Sequence, residues 1–215
     1  MNCIFEEGWT NKDATLLYNE LKKAADYMIE TEHYKDIYLS IFDTNIGHPM
    51  LEKDNSNWCG GTMQGMLAID RKGNIYPCLR YMETSLGTDQ PPMIVGNIYE
   101  GIGHNPADKY IIDGLEKITR KSQSTEKCFN CPIAQGCAWC SAYNYQKFGT
   151  ANHRATFICP MHKARVLANV YYWNKLFQHE GMKERFKNFV PEDWALEIID
   201  KDEFTMLNKL SELNE

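Results

Sequence analysis

Between Lys12 and Thr31 apolar residues recur at helical spacing, at Leu17, Leu21, Ala24, Ala25 and Met28, which predicts a helix with one buried face. Thr10 stands where its N-cap belongs. Apolar stretches flank this helix at Ile4-Phe5 and from Ile37 to Phe42, so the opening segment reads as strand, helix, strand. One such unit cannot close a parallel sheet alone. From Asp43 to Gly61 the chain is polar and rich in glycine and asparagine, a linker by composition. Beyond it, Met66 to Ile69 and Ile75-Tyr76 flank Asp70-Arg71-Lys72-Gly73-Asn74, which predicts a β-hairpin with Gly73 at positive φ. A further short strand is expected from Met93 to Val95. Asn105-Pro106 predicts the start of a helix running to about Arg120, because Asn caps well and Pro fits the first helical position. From Cys159 onward, Val166, Val170, Trp173 and Phe177 keep one face apolar to about Glu180. Pro191 then opens a short segment with Trp194, Leu196 and Ile199, and Phe204, Leu207 and Leu210 mark a last amphipathic stretch.

Composition narrows the function classes. No stretch approaches the ~20 apolar residues of a membrane span. A formal charge of -6, with basic residues scattered among acids, argues against a broad nucleic-acid surface. The opening MNCIFEEGWTNKDA has no basic stretch followed by an apolar one, so the expected setting is the cytoplasm of a reducing cell. In that setting clustered cysteines carry metal rather than disulfides.

Seven of the 8 cysteines form one pattern: Cys59 and Cys78, then Cys128, Cys131, Cys137 and Cys140 within thirteen residues, then Cys159. Two cysteines two residues apart let one tight turn aim both sulfurs at a single centre, and Pro132 and Gly136 suit the chain reversal between the pairs. A zinc site closed by the two pairs would have five intervening residues where zinc modules usually have ~12 or more, and would leave Cys59, Cys78 and Cys159 without a role. Iron–sulfur ligation accounts for more of them, since two cubanes together take eight ligands.

Thirteen residues from Cys59 to Gly73, four more to Cys78, a long gap, the four-cysteine cluster and the final Cys159 resemble the SPASM domain of radical S-adenosylmethionine enzymes that mature peptides and proteins. Gly73-Asn74-Ile75-Tyr76-Pro77-Cys78 and Val95-Gly96-Asn97-Ile98 are of the same family's kind, and the resemblance spans about Asn57 to Lys163. More loosely, Asn2 to Trp9 looks like a late barrel strand and loop of such an enzyme.

The resemblance implies an α+β fold: a small β-hairpin and helices around two 4Fe-4S clusters, preceded by the last β/α unit of a partial TIM-type barrel. The expected divisions are 1–45 for the barrel remnant, 46–165 for the cluster domain and 166–215 for C-terminal helices. It assigns Cys128, Cys131, Cys137 and Cys159 to an outer auxiliary cluster and Cys59, Cys78 and Cys140 to an inner one, with Cys137 and Cys140 one helical turn apart. The chain leaves two residues between those last two cysteines where the family usually leaves three. The inner cluster's fourth ligand stays open among an exchangeable iron site, Asp54 or His48, and Cys3 folding back.

Radical initiation in that superfamily uses CxxxCxxC, which this sequence lacks, so the chain is not expected to cleave S-adenosylmethionine by itself. The implied role is electron relay and substrate seating for a peptide maturase, with a peptide substrate, an external electron donor and an N-terminal radical S-adenosylmethionine barrel, missing or on a separate chain, as partners. The alternative is a non-catalytic module, either a zinc-stabilised scaffold or a stand-alone iron–sulfur electron carrier. Trp139 and Phe129 lie between ligands and would exclude water there, or simply pack. His153, His162 and His179 read as surface histidines, and Glu6 and Glu7 as a solvated loop or a barrel lining.

Overall fold

The computed structural model describes residues 4–57, 59–182 and 190–212. Its architecture is α+β, with helices α1 (Asn11–Glu30), then strands β1 (Ala68–Ile69) and β2 (Asn74–Tyr76), α2 (Glu83–Leu86), β3 (Gly96–Asn97) and β4 (Gly101–Ile102). There follow α3 (Pro106–Glu116), α4 (Arg120–Gln123), α5 (Glu126–Phe129), α6 (Ser141–Phe148), α7 (Cys159–His179), α8 (Glu192–Ala195) and α9 (Lys201–Glu212). Short 3₁₀ turns occupy His33–Lys35, Ser40–Phe42 and Leu79–Tyr81. Among the described residues no helix is long and apolar enough to cross a membrane.

The chain gathers into two compact units that do not follow sequence order. Met1–Met50, Asn130–Ala138 and Thr156–Glu215 form the first, and Leu51–Phe129 with Trp139–Ala155 the second. The opening helix and the C-terminal helices, which the sequence sets apart at about 45 and 165, therefore share one core.

In the first unit α1 starts with a capping box: the Thr10 hydroxyl accepts from the Asp13 N–H, and the Asp13 carboxylate accepts from the Thr10 N–H at 2.9 Å. Its buried stripe is Ala14, Tyr18, Leu21, Ala25, Met28 and Ile29, while Leu17 and Ala24 sit half-buried beside it. That stripe packs along α7, whose Ala164, Leu167 and Ala168 are fully enclosed. Full burial of a side chain such as Leu167 contributes roughly 1.5–3 kcal/mol.

Neither stretch flanking α1 is a strand, which corrects the strand–helix–strand expectation and with it the β/α barrel unit in these residues. The Ile4 carbonyl accepts from the Trp9 indole at 2.9 Å and from the Glu6 N–H at 3.1 Å, closing a local turn. From Ser40 to Asp43 the carbonyls are taken by side chains of α7 instead of by a neighbouring strand. Arg165 donates to Ser40 at 3.0 Å, Asn169 to Ile41 and Asp43 at 3.1 Å each, and the Trp173 indole to Phe42 at 2.8 Å. With the acceptors of Ser40, Ile41 and Phe42 satisfied from a helix, the end of this apolar run has no need of a sheet.

The second unit holds a four-stranded antiparallel meander in the order β1-β2-β3-β4. The hairpin forms where expected: Ala68 faces Tyr76, Ile69 faces Ile75, and Gly73 has φ 83°. Asp70 organises its turn, accepting from the N–H groups of Lys72 at 2.8 Å and Asn74 at 3.0 Å, and from the Asn74 amide and Tyr76 hydroxyl at 3.0 Å each. The strand expected from Met93 to Val95 lies slightly later, at β3, with Val95 still donating to the Ile75 carbonyl at 2.8 Å. α3 starts at Pro106 with Asn105 as its cap, 2.9 Å from the Asp108 N–H. It ends at Glu116 instead of about Arg120, because Thr119 and Ser122 form a second capping box that starts α4.

Candidate metal centre

Three of the predicted ligands come from separate elements of the second unit to one partly buried region, Cys78 buried and Cys59 and Cys140 half-buried. Cys59 opens a turn: its N–H donates to Asn57 Oδ1 at 2.9 Å, and its carbonyl accepts from the Thr62 N–H at 3.0 Å and hydroxyl at 2.7 Å. Cys78 follows β2 and caps the 3₁₀ turn Leu79–Tyr81, its carbonyl accepting from the Tyr81 N–H at 3.1 Å. Cys140 is the N-cap of α6, and its Sγ accepts from the Tyr143 N–H at 3.4 Å. A methyl group on Gly61 would stand 3.1 Å from the Cys78 sulfur and 3.6 Å from that of Cys59, so the glycine leaves room beneath both. Cys78 and Cys140 pack into the same apolar core as Tyr76, Tyr81, Ala142 and Tyr145.

These groups feel one another's charge. Burial pushes the Cys78 thiol up, the backbone N–H of Arg80 pulls against it, and the neighbouring Cys59 and Cys140 push the same way as burial. Cys140 is likewise raised by burial, offset in part by the Tyr143 N–H and the positive charge of Arg80. The Tyr81 phenol is raised by burial and by all three cysteines. Tyr81 has 0 % exposure, and its hydroxyl has no hydrogen-bond partner among the described residues. The Asn57 amide nitrogen and the Trp139 indole nitrogen are buried without one as well.

The first unit holds three more. His162 and Arg165 project from α7, whose first residue is Cys159, and fasten the loop that carries Cys131 and Cys137. His162 Nε2 lies 2.6 Å from the Ile133 carbonyl, and Arg165 donates to the Gly136 carbonyl at 3.3 Å. On the far side of that loop, Gln135 exchanges both backbone hydrogen bonds with Gly47 and His48, at 2.9 Å each. Cys128 belongs to the second unit, within α5. Residues Cys137 to Cys140 are not helical, contrary to the one-turn spacing expected, and the two cysteines fall in different units. Cys3 lies outside the described residues. Of the other fourth-ligand candidates, His48 belongs to the first unit and Asp54 is exposed. Among the described residues no three His, Cys, Asp or Glu side chains are drawn together as around a single metal ion.

Several side chains near the cysteines escape a reading by sequence. Arg120 is 2 % exposed and donates to three carbonyls, of Asp54 at 2.8 Å, Phe129 at 2.7 Å and Leu51 at 3.1 Å, with its guanidinium 4.0 Å over the Phe129 ring. It pins the segment beside Cys128. Trp139 is half-buried under the Arg154 guanidinium at 4.4 Å. His162 is buried, not superficial, because α7 is covered on most sides. His153 is exposed against Phe148, and His179 packs edge-on to Tyr34. The glycine pair directly after Cys59 was the available sequence signal for a crowded sulfur site; nothing in the sequence singles out Tyr81 or Arg120. No protein-family model, no curated protein and no solved structure matches this chain.

Proposed function

We propose that Cys59, Cys78 and Cys140 hold one 4Fe-4S cluster, that Cys128, Cys131, Cys137 and Cys159 are the ligands of a second, and that the chain is the auxiliary-cluster portion of a radical S-adenosylmethionine peptide maturase of the SPASM kind. The observation that carries this reading is the approach of Cys59 and Cys78 to each other across Gly61, with Cys140 packed on the same core as Cys78, so that a turn, a strand end and a helix cap bring three thiols to one partly buried region. The donor set fits the group: thiolates are soft ligands of the sort that iron–sulfur clusters take. The close approach of the Cys59 and Cys78 sulfurs over Gly61 and the unpartnered Tyr81 hydroxyl also suit a sulfur-rich occupant.

Such a cluster, once bound, gains and loses one electron at a time. The chain's own residues hold the thiolates apart, exclude water through Tyr76, Tyr81 and Tyr145, and set Arg80 beside Cys140 to balance negative charge. The proposed role is electron relay between an external donor and a catalytic radical S-adenosylmethionine barrel, with help in seating a peptide substrate. With no CxxxCxxC of its own, the chain leaves S-adenosylmethionine cleavage to that barrel, in the same or a separate polypeptide.

Anaerobic reconstitution followed by iron and sulfide quantitation tests the proposal. The expected result is about eight irons and about eight sulfides per chain, with Cys78→Ala and Cys131→Ala each removing about half. Stoichiometric zinc without sulfide, or loss of all the iron in either variant, would overturn it.

A further inference from the structure

A buried phenol hydroxyl normally finds a hydrogen-bond partner, because leaving it dry and unpaired is costly. Tyr81 is fixed at its backbone, donating to the Cys78 carbonyl at 3.1 Å and accepting from the Met93 N–H at 3.2 Å, and its side chain, at 0 % exposure, is closed off from water. The polar groups packed around it are otherwise engaged. The Tyr145 hydroxyl donates to the Pro91 carbonyl at 2.9 Å and the Tyr76 hydroxyl to Asp70 at 3.0 Å. Leu86, Leu115, Ile118 and Ala142 fill the rest of that core with apolar surface. What remains beside it in that core is sulfur, at Cys78 and Cys140, with Cys59 close to Cys78 across Gly61.

We infer that the Tyr81 hydroxyl donates a hydrogen bond to a sulfur, inorganic or cysteinyl, of the cluster held by Cys59, Cys78 and Cys140. The inference rests on the reading of those three cysteines as a cluster site. Tyr81 is a positioning and tuning residue: it keeps its proton and points it at sulfur. A donor aimed at a cluster sulfur stabilises the more negative, reduced state and so raises the reduction potential. It also fixes the cluster's orientation against the Leu79–Tyr81 turn.

The test is a redox titration of the anaerobically reconstituted full chain, wild type against Tyr81→Phe, followed by electron paramagnetic resonance with dithionite as reductant. Tyr81→Phe removes an otherwise unpaired oxygen and keeps the ring, so the core stays filled. The expected result is unchanged iron content with one of two midpoint potentials lowered by roughly tenfold in the reduction equilibrium, about 59 mV for one electron. The shifted signal is the one missing from Cys78→Ala and retained in Cys131→Ala. Unmoved potentials in Tyr81→Phe overturn the inference while the cluster reading stands. Loss of iron in Tyr81→Phe also overturns it, by making the oxygen a ligand. Wild-type protein that takes up no iron and sulfide overturns the cluster reading, and the inference with it.

Discussion

The Cys78 sulfur lies 3.1 Å from where a methyl on Gly61 would stand, and that glycine has no left-handed backbone to demand its identity. Space alone explains it. Gly61→Ala is therefore expected to fold and to lose iron selectively, about four of about eight per chain. Iron and sulfide analysis beside a thermal melt checks this, and full iron loading with an intact fold would contradict it.

Arg120 joins three carbonyls across the second unit through one flat guanidinium. Arg120→Met would leave the acceptors of Leu51, Asp54 and Phe129 without that donor, at an expected cost of about 2–4 kcal/mol in urea unfolding. Arg120→Lys should recover only part of the loss, since an ammonium is a point donor and cannot span the same fork.

Partial burial alone would raise the Asp70 carboxyl, but the donors from Asn74, Tyr76 and Lys72 outweigh it and hold the group below its ordinary 3.8. A carboxyl lowered by folding adds stability above its unfolded value, and that stability drains away as pH falls through the folded value. Between about pH 5 and pH 3 the wild-type urea midpoint should thus drop more steeply than that of Asp70→Asn. Parallel slopes in the two proteins would refute this.

Tyr18 is 1 % exposed, and its hydroxyl donates to Glu203 at 2.5 Å, where Lys22 also docks. Glu203→Ala strands the phenol inside the first unit, with an expected cost of about 1–3 kcal/mol. In the Tyr18→Phe background the same change should cost measurably less, which a double-mutant cycle by chemical denaturation reads directly.

What is legible in the sequence is local. Thr10, Asn105 and Gly73 announce their elements because caps and turns are written in neighbouring residues. Ile37 to Phe42 misleads because the carbonyls of Ser40, Ile41 and Phe42 are satisfied by Arg165, Asn169 and Trp173, more than a hundred residues away. His162 misleads for a related reason: a helix covered on most sides carries no clean polar face by which to place one histidine. The surroundings of Cys59, Cys78 and Cys140 are harder still, since the Gly60-Gly61 pair hints at crowding but the unpartnered Tyr81 hydroxyl has no signature in the sequence.

Because α1 packs on α7, its apolar stripe can be covered only after the strands between them have been made. The meander and its hairpin can close while α1 still waits with Ala14, Tyr18, Leu21 and Ala25 uncovered. A chain cut short before Cys159 keeps every strand and yet leaves that helix a sticky, unpartnered surface, open to chaperones and to its own kind.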